Sequence, residues 1–275
     1  MSSTAHADDP RRAAVLGFPI AHSRSPQLHL AAYRALGLTA WTYERIECTA
    51  EQLPGLVGGF GPEWVGVSVT MPGKFAALRF ADVRTPRAEL VGSANTLVRT
   101  PAGWRADNTD VDGVRGALGT LPAGGAAVVV GSGGTAPAAV VGLAELGARS
   151  VTVAARNVER ATPLLELAER VGMSARWCDI GGDQLPGVIG RAAAVVSTVP
   201  ADAVAPYADV LAGTPLLLDA VYDPWPTPLA AAVSAAGGRV VSGLQMLLHQ
   251  AFAQVEQFTG RPAPKEAMRA ALAAT

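Results

Sequence analysis

The sequence predicts an α/β protein of two domains, and three observations support this prediction. Apolar segments typical of strands alternate with segments typical of helices along most of the chain, which is the pattern of sheets with helical crossovers. The strand-like segments of the second half are nearly continuously apolar, as strands covered on both faces should be. A length of 275 residues with 49% hydrophobic content is sufficient for two cores of ordinary size.

The first half is predicted to form a parallel βαβαβ unit. Three segments are expected to be its strands: AAVLGF (13–18), WTYERIEC (41–48) and VGVSVT (65–70). Ser25 is the expected N-cap of the first helix, because Pro26 follows it at the position that proline favours, and the helix is expected to run to Leu36. Thr49 and Gln52 form a capping-box pattern that predicts the start of the second helix.

Two further runs, ANTLVRT (94–100) and GWRADNT (103–109), are separated by Pro101 and Ala102 and predict a hairpin at the edge of this sheet. A helix is expected over 110–118. The segment TLPAGG (120–125) is rich in turn-forming residues, and it is predicted to be a linker between the domains.

The second half is predicted to be a doubly wound, Rossmann-type sheet covered by helices that end near Leu146 and Val171. Its expected strands are 126–132, 150–156, 175–180, 193–199 and 215–221. The segment from Leu244 has apolar residues at helical spacing, and we expect it to return to the first domain. The predicted domains are therefore an N-terminal α/β substrate domain, 1–109 completed by 244–275, and a dinucleotide-binding domain, 110–243.

A glycine-rich motif follows the first strand of the second domain. Gly131, Gly133 and Ala136 form a G-x-G-x-x-A pattern between an apolar strand and a helix. Gly131 permits the tight turn, Gly133 lets a pyrophosphate approach the backbone, and the helix N-terminus favours the negative charge. The loop expected to bind the dinucleotide is Gly131, Ser132, Gly133, Gly134, Thr135 and Ala136. The alternative is a glycine-rich turn that only packing requires.

The end of the next strand indicates which dinucleotide is bound. NAD sites usually present Asp or Glu there to the ribose hydroxyl, but this chain has Arg156 and Arg160 and no acid at the strand end. Two guanidinium groups can bind a 2′-phosphate, so NADP is predicted. The alternative is two arginines on a solvated surface.

Lysine is rare in this chain, with Lys74 and Lys265 among 22 basic residues and arginine at all the others. When a nicotinamide cofactor reduces a ketone, a proton must also be delivered. A lysine can supply it if burial and neighbours draw its pKa down towards the operating pH, whereas arginine stays protonated. Asp110 is a candidate to orient Lys74. The alternatives are a lysine on a solvated loop and an aspartate that caps a helix.

Six motifs occur in the order and spacing of the shikimate dehydrogenase family: PIAHSRSP (19–26), VTMPGK (69–74), GSANTL (92–97), ADNTD (106–110), GSGGTA (131–136) and GLQMLLHQA (243–251). The chain resembles this family over nearly its whole length. The resemblance implies an enzyme of aromatic amino acid biosynthesis that reduces 3-dehydroshikimate to shikimate with NADPH. It also implies a substrate domain, a cofactor domain and a cleft between them.

The resemblance further implies roles for individual residues. Lys74 and Asp110 would be the catalytic pair, and Ser23 and Ser25 would bind the substrate carboxylate. The residues expected to meet the substrate hydroxyls are Thr70, Asn95, Asp110 and Gln250. Tyr222 would lie near the substrate, and Gly243 would begin a turn beside the nicotinamide.

The chain departs from the family pattern at several of these motifs. Ser68 stands where asparagine is common, and Gly73 stands where phenylalanine is common. In the cofactor segment, Ala155 and Asn157 flank Arg156 where Asn-Arg-Thr is usual, and the segment 111–113 follows Asp110 where a glycine often does. The implied lysine, aspartate and arginines are retained.

Two other functions are compatible with these motifs. A quinate dehydrogenase of the same family would act on a substrate with one more hydroxyl, often with NAD. A non-catalytic shikimate or quinate sensor could use the same fold, but it would have no reason to retain Lys74 within the substrate motifs. The two small serine hydroxyls moderately favour shikimate as the substrate.

Composition limits the partners. A net charge of −1 with 16% charged residues gives no basic field for nucleic acid, and Cys48 and Cys178 lack the spacing of a zinc site or disulfide framework. The first dozen residues are polar, so a disordered leader is expected instead of a secretory signal. Apolar stretches are too short to span a bilayer. We therefore expect a cytoplasmic protein without metal, as a monomer or homodimer.

Overall fold

The computed structural model describes residues 9–273, which form two compact units. The first unit contains the described residues up to Thr109 together with those from Gln250 onward, and the second contains Asp110–His249. Most of the predicted leader, residues 1–8, lies outside the described residues. The segment 120–125 lies inside the second unit, where it is a connection between two elements and not the predicted linker between domains.

The first unit is built on a six-stranded sheet with the order β2-β1-β3-β5-β6-β4. Its strands are β1 (Arg11–Gly17), β2 (Trp41–Glu47), β3 (Trp64–Val69), β4 (Val83–Arg84), β5 (Thr96–Thr100) and β6 (Gly103–Asp107). Strand β1 is parallel to both β2 and β3, which confirms the predicted βαβαβ unit. Strands β5 and β6 form the predicted antiparallel hairpin, but the short, unpredicted β4 occupies the edge beyond it.

Helices flank this sheet at the positions that its crossovers require. They are α1 (Ser25–Ala35), α2 (Leu53–Gly58), α3 (Lys74–Phe80) and α4 (Pro86–Val91). The capping box is confirmed, because Thr49 N donates to Gln52 Oε1 at 2.9 Å and Gln52 N donates to Thr49 Oγ1 at 3.4 Å. The prediction of Ser25 as an N-cap is wrong, since Ser25 is the first helical residue and Arg24 holds the cap position without a side-chain bond.

Alternation along the interior strand β1 divides the apolar side chains of the first unit into two clusters. Ala14 and Leu16 belong to one, together with buried side chains of β3, β5 and β6. Ala13 and Val15 belong to the other, which also contains the aromatic side chains of Tyr33, Trp41, Tyr43 and Phe258. A sheet buried on both faces holds the loops at its strand ends in fixed positions.

The second unit is a six-stranded, fully parallel sheet with the order β12-β11-β10-β7-β8-β9. Its strands are β7 (Ala126–Val130), β8 (Ser150–Ala154), β9 (Ser174–Cys178), β10 (Ala192–Ser197), β11 (Leu216–Asp219) and β12 (Arg239–Ser242). The chain proceeds outward from β7 in one direction and from β10 in the other, so the winding reverses between these strands. This doubly wound order confirms the predicted Rossmann-type sheet.

The remaining helices complete the two units. They are α5 (Asp110–Leu118), α6 (Ala136–Glu145), α7 (Val158–Arg170), α8 (Leu185–Ile189), α9 (Ala201–Val204), α10 (Ala208–Leu211), α11 (Pro228–Ala235), α12 (Gly243–Thr259) and α13 (Lys265–Ala273), with a 3-10 turn at Ala205–Tyr207. Helix α12 begins in the second unit and ends in the first. No helix within 9–273 is long and apolar enough to cross a membrane.

Both cysteines are buried and free. Burial raises the pKa of the Cys48 thiol, and it also raises that of the Cys178 thiol. Across the described part of the chain, no group of three or more His, Cys, Asp or Glu side chains could hold a metal ion.

Candidate active site

The loop after β1 presents the two predicted carboxylate ligands. Ser23 is 9% exposed and Ser25 is 3% exposed, and the Ser23 hydroxyl accepts from the Ser25 N–H at 3.3 Å. Arg45 on β2 fixes this loop by donating to the Ser23 carbonyl through Nε at 2.8 Å and through a terminal nitrogen at 2.6 Å. The hydroxyl of Ser25 also hydrogen-bonds Tyr43. The two serines are therefore neighbours at the start of α1.

The turn after β3 presents Thr70 and Lys74. Thr70 N donates to the Leu16 carbonyl at 2.8 Å, and Gly73 N donates to the Thr70 carbonyl at 2.9 Å. This turn approaches the end of β1 so closely that a Cβ on Gly17 would lie 2.4 Å from Thr70 Cγ2. Lys74 is half-buried as the first residue of α3, and its carbonyl accepts from Ala94 N at 3.0 Å. The turn and the segment that carries Asn95 are thus tied together.

Asn95 and Gln250 are brought together in the first unit. Asn95 Nδ2 donates to Gln250 Oε1 at 3.2 Å and to Thr109 Oγ1 at 3.0 Å. Asn95 Oδ1 accepts from Thr109 N at 2.7 Å. All three residues are buried, so their polar groups depend on one another. Sequence reasoning had identified Asn95 and Gln250 but missed Thr109, although it lies within the ADNTD motif.

An ion pair beside this cluster holds the ADNTD motif in place. Both oxygens of the Asp107 carboxylate accept from Arg87, at 3.1 and 2.6 Å. Burial acts to raise the pKa of Asp107, but bonds from Arg87, Thr85 and the Asn108 N–H outweigh burial and lower it. Gln257 donates to the same carboxylate at 2.8 Å. Asp107 therefore stays ionised and anchors the strand end that leads to Thr109.

In the second unit, the glycine-rich loop has the expected strand-turn-helix context. Gly131 has a φ of +100°, and a Cβ there would lie 2.4 Å from Val199 Cγ1. Gly133 is exposed, and a Cβ there would meet no atom within 4 Å. The loop continues through Ser132, Gly134 and Thr135 to Ala136, the first residue of the ten-residue helix α6. It lies at the carboxyl end of β7, where the winding reverses and open α/β sheets bind ligands.

Residues after β10 also contribute to this end of the sheet. Thr198 donates to the Val130 carbonyl through its N–H at 3.0 Å and through its hydroxyl at 2.9 Å. This contact brings Val199 against Gly131. Sequence reasoning missed both residues, because only strand order shows that β10 neighbours β7.

The two arginines expected to select the cofactor follow β8. Arg156 lies in the loop and Arg160 lies in the first turn of α7, and both are exposed. Asn157 between them is the N-cap of α7, since its Oδ1 accepts from Arg160 N at 2.9 Å. Within residues 9–273, neither guanidinium is engaged in a hydrogen bond or an ion pair.

The other predicted residues of the second unit lie at element termini. Asp110 is buried as the first residue of α5, and half-buried Tyr222 follows β11. Gly243 begins α12, where a Cβ would lie 2.2 Å from the Ala220 carbonyl oxygen. Lys74 belongs to the first unit and Asp110 to the second, so their pairing stays a prediction.

Comparisons with known proteins agree with these features. The family model for the Shikimate dehydrogenase substrate binding domain matches residues 15–97, and the model for the Shikimate 5'-dehydrogenase C-terminal domain matches residues 243–273. The chain is 40% identical to a shikimate dehydrogenase (NADP(+)) of Methylobacterium radiotolerans, over 92% of this chain and 93% of the relative.

Two crystal structures extend the similarity to the whole fold. The shikimate dehydrogenase of Mycobacterium tuberculosis is 71% identical with a TM-score of 0.94, covering 97% of this chain and 100% of that one. The shikimate 5-dehydrogenase of Thermus thermophilus, in complex with NADP(H) and shikimate, is 30% identical with a TM-score of 0.81, covering 96% and 99%. Because the Methylobacterium relative is 40% identical over 92% of this chain, the chain belongs to the shikimate dehydrogenase family.

Proposed function

We propose that this protein catalyses the reversible, NADPH-dependent reduction of 3-dehydroshikimate to shikimate in aromatic amino acid biosynthesis. The observation that carries the proposal is 71% identity, over 97% of the chain, to the shikimate dehydrogenase of Mycobacterium tuberculosis. The proposal includes a cytoplasmic location and a monomeric or homodimeric state, as the sequence predicts.

The polar groups of the first unit suit a small polyhydroxylated acid. Hydroxyl groups of Ser23 and Ser25 can donate to a carboxylate, and such bonds to a charged group contribute about 1.5–3 kcal/mol each. The amides of Asn95 and Gln250 carry both donors and acceptors, which is the combination that a substrate hydroxyl needs. Thr70 adds a hydroxyl from the turn that carries Lys74.

The residues of the second unit fit NADP. The open surroundings of Gly133 leave room for a pyrophosphate close to the backbone, and α6 directs its N-terminus towards that loop. Arg156 and Arg160, which have no acidic partner within the described ranges, can bind a 2′-phosphate. When bound, the reduced cofactor supplies the hydride for the carbonyl carbon.

Lys74 and Asp110 are proposed to move the proton. As the carbonyl becomes an alcohol, the Lys74 ammonium gives a proton to its oxygen, and in the reverse direction the neutral amine takes that proton back. The Asp110 carboxylate accepts hydrogen bonds from the ammonium and from a substrate hydroxyl, which orients both. Tyr222 is proposed to lie near the substrate, and Gly243 beside the nicotinamide.

Initial rates for shikimate and quinate, each with NADP and with NAD, test the proposal by absorbance at 340 nm. We expect the highest kcat/KM with shikimate and NADP. Binding of shikimate without turnover with either cofactor would favour a sensor, and equal efficiency with both cofactors would favour a quinate dehydrogenase.

The same assay tests the role of Arg156. We expect Arg156→Ala to raise KM for NADP by about 10-fold or more while leaving KM for NAD nearly unchanged, because a charge-assisted bond to the 2′-phosphate is lost. Arg170→Ala, at the exposed far end of α7, is the matched control. A parallel increase in KM for both cofactors would contradict recognition of the 2′-phosphate by Arg156.

A further inference from the structure

Gln254 is a fully buried glutamine that the sequence motifs do not include. It is 0% exposed and lies four residues after Gln250 on α12, so the two side chains share one face of the helix. A buried side-chain amide is fully hydrogen-bonded only when its NH2 group and its carbonyl oxygen both have partners. The contacts of Gln254 therefore indicate what it holds in place.

Both ends of the Gln254 amide are occupied. Its Nε2 donates to Thr96 Oγ1 at 3.0 Å and to the Asn95 carbonyl at 3.3 Å. Its Oε1 accepts from the Ser68 hydroxyl at 2.8 Å and lies 3.3 Å from His29 Nε2. The Asn95 carbonyl can only accept, so the nitrogen of the Gln254 amide must face it and the oxygen must face Ser68.

The hydroxyl groups on either side make this arrangement directional. Tyr43 donates to Ser68 at 2.7 Å, so the Ser68 hydroxyl is free to donate to Gln254. Thr96 accepts from Gln254 and donates its own hydrogen to Asn95 Oδ1 at 2.8 Å. Each group thus donates to the next in the order Tyr43, Ser68, Gln254, Thr96 and Asn95. Of these five residues, only Gln254 lies on α12.

The orientation of the Asn95 side chain follows from this chain of bonds. Its Oδ1 accepts from Thr96 on one side and from Thr109 N, at 2.7 Å, on the other. Its Nδ2 is therefore directed at Gln250 Oε1, 3.2 Å away. A ligand that binds beside Asn95 and Gln250 therefore meets an Asn95 amide whose oxygen and nitrogen are already held in fixed positions.

Histidine at position 29 keeps this region uncharged. His29 is 0% exposed and stacks on Tyr43 with ring centroids 4.0 Å apart. Burial lowers the pKa of His29 to about 3, although its contact with Gln254 acts in the opposite direction. A neutral imidazole with its hydrogen on Nε2 donates to Gln254 Oε1, which reinforces the same amide orientation.

We infer that Gln254 is a positioning residue for shikimate. It holds Asn95 in place by hydrogen bonds to the Asn95 backbone carbonyl and to the Thr96 hydroxyl. Asn95 and Gln250 thereby present two side-chain amides of fixed orientation to the substrate hydroxyls. The inference rests on the proposed function of Asn95 and Gln250 as substrate ligands. It assigns Gln254 no contact with substrate or cofactor.

The test compares Gln254→Met with wild type in the presence and absence of Asn95. Methionine has a similar size but no hydrogen-bonding amide, so Thr96 is free to rotate its hydroxyl. We expect kcat/KM for shikimate to fall about 10-fold, with KM for NADP unchanged within about twofold. In the Asn95→Ala background, adding Gln254→Met should change kcat/KM by less than about twofold, because nothing remains to position.

Two further variants keep the inference falsifiable. Glu256→Met, on the exposed side of the same helix, removes the bond that Glu256 Oε1 accepts from Ala263 N at 3.2 Å and should preserve kcat/KM for shikimate. If Gln254→Met does not fold, Ser68→Ala removes one donor to Gln254 and should lower kcat/KM by about two- to threefold, again only when Asn95 is present.

The outcomes are distinct. Equal fold-losses from Gln254→Met with and without Asn95 would overturn the positioning role, and so would a loss that affects KM for NADP as strongly as that for shikimate. Absence of turnover by the wild type with shikimate and NADP would instead overturn the proposed function. Thermal unfolding of each variant shows whether the lost activity reflects unfolded protein.

Discussion

Lys74 shows how one side chain is singled out by both composition and structure. It is one of two lysines in the chain, and it is half-buried where the turn after β3 enters α3. Its backbone carbonyl accepts a hydrogen bond from Ala94 N at 3.0 Å, and Ala94 directly precedes Asn95 in the chain. The backbone of Lys74 is therefore tied to the segment that carries Asn95.

We expect Lys74→Ala to lower kcat by about 10²–10⁴-fold while shikimate affinity changes only a few-fold, because a proton donor acts in the transition state. Lys74→Arg should not restore turnover, since a guanidinium does not release its proton at any working pH. Lys265→Ala is the matched control, as Lys265 begins α13 and its ammonium faces the Phe252 ring at 5.6 Å.

Steady-state rates and shikimate calorimetry measure both quantities. An arginine variant that turned over near the wild-type rate would reduce Lys74 to an electrostatic role. A large loss of shikimate affinity in Lys74→Ala would make the lysine primarily a binding residue.

Two glycines at connections between a strand and a helix, Gly243 and Gly133, have different surroundings and therefore different roles. Gly243 joins β12 to α12 so close to the backbone of residues 220–221 that a Cβ would lie 2.2 Å from the Ala220 oxygen. Gly133 joins β7 to α6 and has open space around the position of a Cβ. Packing accounts for the first glycine, whereas the close approach of a pyrophosphate to the backbone would account for the second.

Alanine substitutions at these two positions should therefore affect different properties, stability at Gly243 and cofactor binding at Gly133. Gly243→Ala forces the backbone apart and should lower the free energy of unfolding by about 1–3 kcal/mol. Gly133→Ala should change the free energy of unfolding by less than about 0.5 kcal/mol but raise KM for NADP, because its methyl group would occupy the space of the pyrophosphate.

Urea unfolding and NADP kinetics on both variants check this pair. A stable Gly243→Ala variant would contradict the close approach at residues 220–221. A Gly133→Ala variant with wild-type KM for NADP would return the glycine-rich loop to a purely structural role.

The two units have separate cores, so their stabilities can depend on different groups. In the first unit, His29 is buried in the aromatic cluster and its pKa is lowered to about 3 by burial. Well above pH 6.5 it is neutral in both folded and unfolded chains and adds no pH dependence. As pH falls from 6.5 towards 3, the unfolded chain binds a proton that the folded chain excludes, so stability decreases.

We expect this decrease to approach about 1.4 kcal/mol per pH unit well below pH 6.5, on the order of 5 kcal/mol in all by pH 3. His29→Phe keeps a ring against Tyr43 but cannot bind the proton, so its unfolding free energy should decline more gently between about pH 6.5 and 4. Asp107, whose pKa is lowered chiefly by Arg87 against the effect of burial, loses its contribution only at lower pH.

Urea unfolding at about pH 7 and about pH 5, followed by tryptophan fluorescence, measures the difference. The signal reports both units, because Trp41, Trp64 and Trp104 lie in the first and Trp177 and Trp225 in the second. The same pH dependence in wild type and His29→Phe would show that another group is responsible. Two transitions in the urea curve would be analysed separately for the two units.

Local sequence determined much of this molecule. Strand-helix alternation, the capping box at Thr49 and the glycine-rich loop at Gly131 depend on contacts between residues close in the chain, so they could be predicted from residue types. The same locality explains the errors. The short β4 and β12 carry too few residues for a clear period, and the start of α1 differed by one position from the predicted cap.

Tertiary structure alone decided which distant segments meet. That β10 lies beside β7, and so brings Thr198 to the glycine-rich loop, depends on strand order, which no local pattern contains. That Gln254 bonds to both Ser68 and Thr96 depends on where α12 docks against two strands far from it in sequence. Residue types specify which groups need hydrogen-bond partners, but the packing of the folded chain decides which groups those partners are. The reason is that burial removes water, which could otherwise hydrogen-bond to any exposed polar group.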